Sequence, residues 1–205
     1  MLPKQHQQPI LYSFRRCPYA MRARLALFAA GMVVEMREIN LRDKHPTFLE
    51  TSPKGTVPVL VLDDDNIIDE SLEIVDYVCQ HHPQFKARNA ETLADWVQAL
   101  NTSFRPAINV IKYPERYPEA NADQAHDHAK QYCETLNSVL SHQAYLHGDS
   151  IGQADFIIFP FVRQLSRVNE NIVTGYDVPM LTLWLDRITE SPLFHRVMQK
   201  LPLWQ

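Results

Sequence analysis

The sequence predicts two units of different class: an α/β unit of order strand, helix, strand, helix, strand, strand, helix, and an all-helical unit after it. Three observations carry this. Short apolar or alternating stretches of strand character recur before residue 70, with helical spacing between them. The stretch "HHPQFKARN" at 81–89 is polar, holds a proline and shows no apolar period. From Ala90 onward every patterned stretch repeats at helical spacing.

Taken in order, "PILYS" at 9–13 has strand character, and Cys17-Pro18 opens a helix in which Met21, Leu25 and Phe28 recur at spacings of four and three. Gly31 marks its end. "VVEMREI" at 33–39 reads as a second strand, and "HPTFLE" as a short helix stopping before "TSPKG". "VPVLVL" is a buried-strand pattern, "DDDN" a turn and "IID" a returning strand. A last helix begins at Glu70-Ser71, with Leu72, Val75, Val78 and Cys79 along one face. The α/β unit is thus placed at 1–82, a linker at 83–89 and the helical unit at 90–205. Helical patterns there cover 91–110, 122–141, 153–170, 180–190 and 193–199. In the third, Asp155 follows Gly152 by three residues, half of a capping pattern because glycine has no side-chain oxygen, and Pro160 predicts a kink.

Composition narrows the function. A net charge of −4 and a pI near 6.1 argue against a nucleic-acid partner, although Arg15, Arg16, Arg22, Arg24 and Arg37 make the first quarter locally basic. "MLPKQHQQ" lacks the apolar run of a signal peptide and no apolar stretch is long enough to span a bilayer, so a cytoplasmic setting and no membrane partner are expected. Cys17, Cys79 and Cys133 are too few and too scattered for a disulfide framework or a zinc site, and predict free thiols. His126 and His128 do not share a helix face and His81-His82 are adjacent, so no metal is expected. With five glycines there is no phosphate-cradling loop, dinucleotide fingerprint or nucleophile elbow.

The residue that carries chemistry is Cys17. A helix start presents unpaired N–H groups and partial positive charge, both of which favour a thiolate, and Pro18 fits the first turn because it has no N–H to lose. Arg15 and Arg16 add positive charge if their side chains turn inward, so the reading is of a thiol lowered toward neutrality. The plainer reading is a small residue buried at a helix start. Cys79 and Cys133 fall on apolar faces and read as core. From the residues alone, Pro58 is a strand-initiating proline and Glu70-Ser71 a helix cap.

The order of elements, with "CPYA" at the first helix, "SPKGTVPVL" before the third strand and "DES" at the last helix of the α/β unit, resembles the glutathione transferase superfamily over essentially the whole chain. The cysteine most resembles that of the omega class and related bacterial enzymes. The resemblance implies a thioredoxin-like βαβαββα domain, a helical domain that supplies the second-substrate pocket, glutathione as cosubstrate and a homodimer. It implies Cys17 as nucleophile and a cis Pro58, with the Val57 backbone pairing with the cysteinyl part of glutathione. It also implies Glu70 and Ser71 at the γ-glutamyl end, Lys44 at the glycyl carboxylate, and Phe14, Pro18 and Tyr19 beside the thiol.

Ala20 stands where a resolving cysteine would stand in a CxxC motif, which leaves a monothiol route: thiol transfer, deglutathionylation or dehydroascorbate-type reduction on a small electrophilic or disulfide substrate. Two alternatives accompany it. One is a conjugating transferase using Tyr12 or Ser13. The other is a non-enzymatic interaction protein like relatives of the stringent starvation protein. Phe104 and Tyr113 are the residues expected to line the second-substrate pocket.

Overall fold

Every residue of Ile10–Ser13, the first strand β1, is buried, as befits a strand covered on both faces. The structure is a computed structural model and describes residues 8–63, 66–168 and 172–205. The two central residues of the expected "DDDN" turn, 64–65, the end of the expected third helical stretch, 169–170, and residues 1–7 lie outside them.

The chain divides into two compact units, one of residues 1–86 and 191–205, the other of residues 87–190. In the first, β1 pairs in parallel with β2 (Glu35–Glu38) and antiparallel with β3 (Val59–Asp63), which pairs antiparallel with β4 (Asn66–Ile68). The sheet order is β2-β1-β3-β4. Its helices are α1 (Pro18–Ala29), α2 (Pro46–Thr51) and α3 (Ser71–His81). One core gathers Ile10, Tyr12, Val59 and Val61 from alternate strand positions with Phe48 of α2 and Ile39. Leu11 and Leu60, at the intervening positions, are fully buried as well. The expected strand, helix, strand, helix, strand, strand, helix order is the observed one.

Helix α1 is buried well beyond the single apolar face that Met21, Leu25 and Phe28 mark in the sequence. Every residue from Ala20 to Leu27 is buried, Arg22 and Arg24 included. The helix packs against α3 on one flank and on another against α9 (Pro192–Val197), which leaves no water-facing side for the two arginines.

The last fifteen residues, assigned by sequence to the helical unit, belong instead with the α/β unit. Ser191 caps α9 by accepting from the Phe194 N–H at 3.1 Å. Beyond it, Leu203 forms a parallel bridge with Glu38 and the Trp204 N–H donates to the Glu38 carbonyl at 2.8 Å, so the tail extends the β2 edge. The Trp204 ring meets Tyr12 edge-on at 5.4 Å and His45 at 4.5 Å, with the Arg37 guanidinium 4.6 Å above it.

The second unit contains α4 (Ala90–Ala99), α5 (Arg105–Lys112), α6 (Ala122–Leu140), α7 (Gln153–Ser166) and α8 (Pro179–Thr189). The expected 91–110 helix is α4 and α5 joined by a π-helical turn, Leu100–Phe104, just ahead of Pro106. Helix α7 runs through Pro160 and is buried over nearly its whole length. At its start the Asp155 carboxylate accepts from the N–H groups of Leu146 (2.8 Å), Gly152 (3.0 Å) and His147 (3.2 Å) and from Trp184 Nε1 (2.8 Å). Glycine is required at 152 by close approach, because a Cβ there would lie 2.3 Å from the His147 ring. Burial pushes the Asp155 carboxyl up to about 6, against four hydrogen bonds that lower it.

Candidate active site

Strand β1 delivers the chain through Phe14 to Cys17, whose N–H donates to the Phe14 carbonyl at 2.9 Å. Cys17 is the N-cap of α1, in extended conformation, with Pro18 in the first turn. In that geometry the Tyr19 and Ala20 N–H groups bear on the sulfur. The thiol is half-buried; Cys79 and Cys133 are buried. Phe14 and Cys17 pack against the sheet core that contains Val57, and the Cys17 thiol donates to the Val57 carbonyl at 3.8 Å. Val57 precedes β3 and stands outside the strand ladders, and the Val57–Pro58 bond is cis.

The electrostatics correct the sequence reading in two ways. Burial pushes the Cys17 thiol above its ordinary value, and the Ala20 and Tyr19 N–H groups with the charges of Arg24 and Arg22 bring it only part of the way back. The free protein therefore holds the thiol protonated at neutral pH rather than lowered. The cations that oppose burial are Arg24 and Arg22 from within α1, not Arg15 and Arg16. Arg15 is tied by its N–H to Glu38 Oε1 at 2.7 Å, and the exposed Arg16 lies over the Phe14 ring at 5.5 Å.

Ser71 opens α3, is nearly buried, and its hydroxyl accepts from Arg22 Nη1 at 3.3 Å. The Arg22 guanidinium also lies 5.4 Å from the Tyr19 ring. Arg22 thus joins the starts of the two helices. Glu70 is the α3 N-cap residue by position but makes no side-chain cap bond; its carboxylate takes Lys54 Nζ at 2.9 Å, as does Asp69 at 3.0 Å. Lys44 reaches over Gly55, where a Cβ would come within 3.2 Å of its Nζ and where a φ of +60° favours glycine in any case. The structure therefore brings Cys17, Val57 and, through Arg22, Ser71 together. Lys44 and Glu70 bound the segment that carries the cis bond.

The rival hydroxyls are inside. The Tyr12 hydroxyl accepts from Arg37 Nη1 at 2.8 Å and Tyr12 is 2% exposed; Ser13 is wholly buried. Phe104 is core, stacked on Tyr132 at 4.5 Å, while Tyr113 carries the cations of Lys112 and Arg116 on its ring. Sequence reasoning missed Arg22, Arg24 and Lys54. Two arginines inside "MRARLAL" were the available signal.

A mixed four-stranded sheet with a thiol at the first helix start and a proline ahead of the third strand defines a thioredoxin-like unit, here joined to an all-helical one. Family models of the glutathione S-transferase N-terminal and C-terminal domains match residues 11–86 and 98–192. The chain belongs to the glutathione S-transferase family. It is 28% identical over 204 residues to glutathione S-transferase omega-1 of Rattus norvegicus, covering 93% of this chain and 80% of that one. The omega-1 protein of Sus scrofa is 27% identical over 186 residues, covering 89% and 77%. A glutathione transferase family member from Pseudomonas fluorescens, solved with two glutathione molecules bound, has the same fold at a TM-score of 0.78 and 19% identity, covering 94% of this chain and 92% of that one.

Proposed function

We propose that the protein is a Cys-type glutathione transferase that works as a monothiol thiol transferase or reductase, with Cys17 as nucleophile and glutathione as cosubstrate. The observation that carries this is the half-buried Cys17 thiol at the start of α1, 3.8 Å from the Val57 carbonyl. The rival Tyr12 and Ser13 are buried, which weighs against the conjugating alternative.

Cys17 gives up its proton and attacks the glutathionyl sulfur of a mixed disulfide, forming the Cys17–glutathione disulfide as the substrate thiolate leaves and takes the proton. A glutathione thiolate then attacks the glutathionyl sulfur of that adduct. Oxidised glutathione leaves and Cys17 regains its proton. Ala20 offers no resolving thiol, so the second glutathione is obligatory. The Tyr19 and Ala20 N–H groups, with Arg24 and Arg22, stabilise the thiolate as it forms.

In this reading the Val57 backbone pairs with the cysteinyl part of glutathione, as a strand is added to a sheet edge. Ser71 and the α3 start receive the γ-glutamyl carboxylate while Glu70 holds the ammonium. Lys44 meets the glycyl carboxylate, and Phe14, Pro18 and Tyr19 wall the thiol. The working form is a cytoplasmic homodimer.

Intact mass after exposure to oxidised glutathione, with the adduct mapped, tests the proposal. One glutathionyl group on Cys17 is expected, along with loss of disulfide reductase turnover in Cys17→Ala. Modification of Cys79 or Cys133 instead, or turnover that survives Cys17→Ala, would overturn it.

A further inference from the structure

A cavity of about 290 Å³ lies within the α/β unit itself. Arg24 and Phe28 of α1, Val34 and Met36 at β2, Arg196 of α9 and Leu201 of the tail line it. No acidic side chain does.

Its two guanidiniums are short of counter-charge. Arg24 is 1% exposed, its Nη2 donates to the Arg15 carbonyl at 2.5 Å, and its Nε is buried without a hydrogen-bond partner. Glu38 acts on it only from beyond ion-pair distance and is itself engaged by the Arg15 N–H. Burial draws the Arg24 guanidinium down to about 10, the mark of a cation lacking full compensation. Arg196, exposed at the rim, lies 5.5 Å from the Phe28 ring and makes no ion pair among the described residues. An unpaired buried cation is costly, and a guanidinium takes a carboxylate with directional, charge-assisted bonds.

We propose that this cavity binds a small monocarboxylate with an apolar body, its carboxylate between Arg24 and Arg196 and its ring or chain against Phe28, Val34 and Met36. The volume stands at the lower end of the range for small-molecule sites and suits one aromatic ring bearing an acid. A phosphate dianion would satisfy the charge but leave the apolar walls unfilled. No residue that contacts glutathione in the proposed function lines it; the two sites share only the charge of Arg24, which also favours the Cys17 thiolate.

Calorimetric titration of the full chain with phenylacetate tests the site, with phenylacetamide as the uncharged control. Saturable 1:1 binding of the acid and none of the amide is expected. Affinity should fall at least tenfold in Arg196→Gln, whose exposed side chain can be changed without disturbing the core, and also in Val34→Trp, which fills the cavity. It should be unchanged in Cys17→Ala, which separates this site from the glutathione site. Equal binding of acid and amide, absence of binding by the acid, undiminished affinity in Arg196→Gln, or loss of binding in Cys17→Ala would overturn the proposal.

Discussion

Arg22, buried on α1, donates to the Ser71 hydroxyl at the start of α3 while its charge favours the Cys17 thiolate. One side chain thus serves two parts of the candidate site. Arg22→Met should raise KM for glutathione several-fold and move the midpoint of the Cys17 alkylation profile to higher pH. Arg22→Lys should restore most of the midpoint shift but little of the KM. Arg16→Met, which changes an exposed cation that does not act on the thiol, should do neither.

The Cys17 thiol lies above its ordinary value in the free protein, chiefly through burial. A thiol at or above about 8.5 is at most a few per cent ionised at pH 7, so iodoacetamide should react slowly at neutral pH and with a midpoint above that of free cysteine. A midpoint near 6.5 would contradict the structure. A raised value also means that the folded chain holds this proton more tightly than the unfolded one. The resulting stability is whole below the ordinary thiol value and is lost as pH rises through the folded one.

Asp155 offers a sharper pH dependence because it is wholly buried and raised to about 6. The folded state binds its proton more tightly than the unfolded state does. This contribution is full below about 4, is lost as pH rises through about 6, and amounts to about 3 kcal/mol between those limits. Denaturant melts of the protein and of Asp155→Asn should therefore differ by more at pH 4.5 than at pH 7. Asp155→Ala, which leaves three N–H groups and the Trp184 indole without their acceptor, should be destabilised by about 3 kcal/mol or more at either pH.

Removing the Trp204 ring should loosen the α/β unit although the residue lies outside every helix and strand ladder of that unit. Trp204→Ala deletes contacts to Tyr12, His45 and Arg37 and should cost about 2 kcal/mol, read as a lower Tm by circular dichroism.

Lys44 and Lys54 are ten residues apart and are expected to behave differently. Lys54 is already paired with Asp69 and Glu70. Lys44→Gln should raise KM for glutathione about threefold or more, whereas Lys54→Gln should not raise it, because it releases Glu70 for the γ-glutamyl ammonium. A higher KM in Lys54→Gln alone would move the glycyl contact from Lys44 to Lys54.

The element order was legible in the sequence because alternation and helical spacing record which residues face a core. What that core consists of is not recorded, which is why α9 reads as a helix but not as part of the α/β unit. The same limit applies to Arg22 and Arg24. In a helix with one wet face they would be solvated, and only packing against both α3 and α9 buries them. Cys17 stood out by its place at the helix start, a local property. The direction in which its acidity moves depends on Phe14, Val57 and the rest of the sheet core, which come together only in three dimensions. Asp155 was half legible: its spacing from Gly152 marked a cap, while the Trp184 and Leu146 contacts lie far along the chain or in an unpatterned loop.

The α/β unit is discontinuous in the chain, interrupted by 87–190 and completed by 191–205. On a ribosome residues 87–190 are synthesised before the strap that carries Leu203 and Trp204. Until then the β2 edge lacks its Leu203 bridge and Trp204 cover. A chain synthesised only as far as residue 190 therefore holds all four strands of the sheet but not the cover over its outer strand, which 191–205 supplies like a closing stitch.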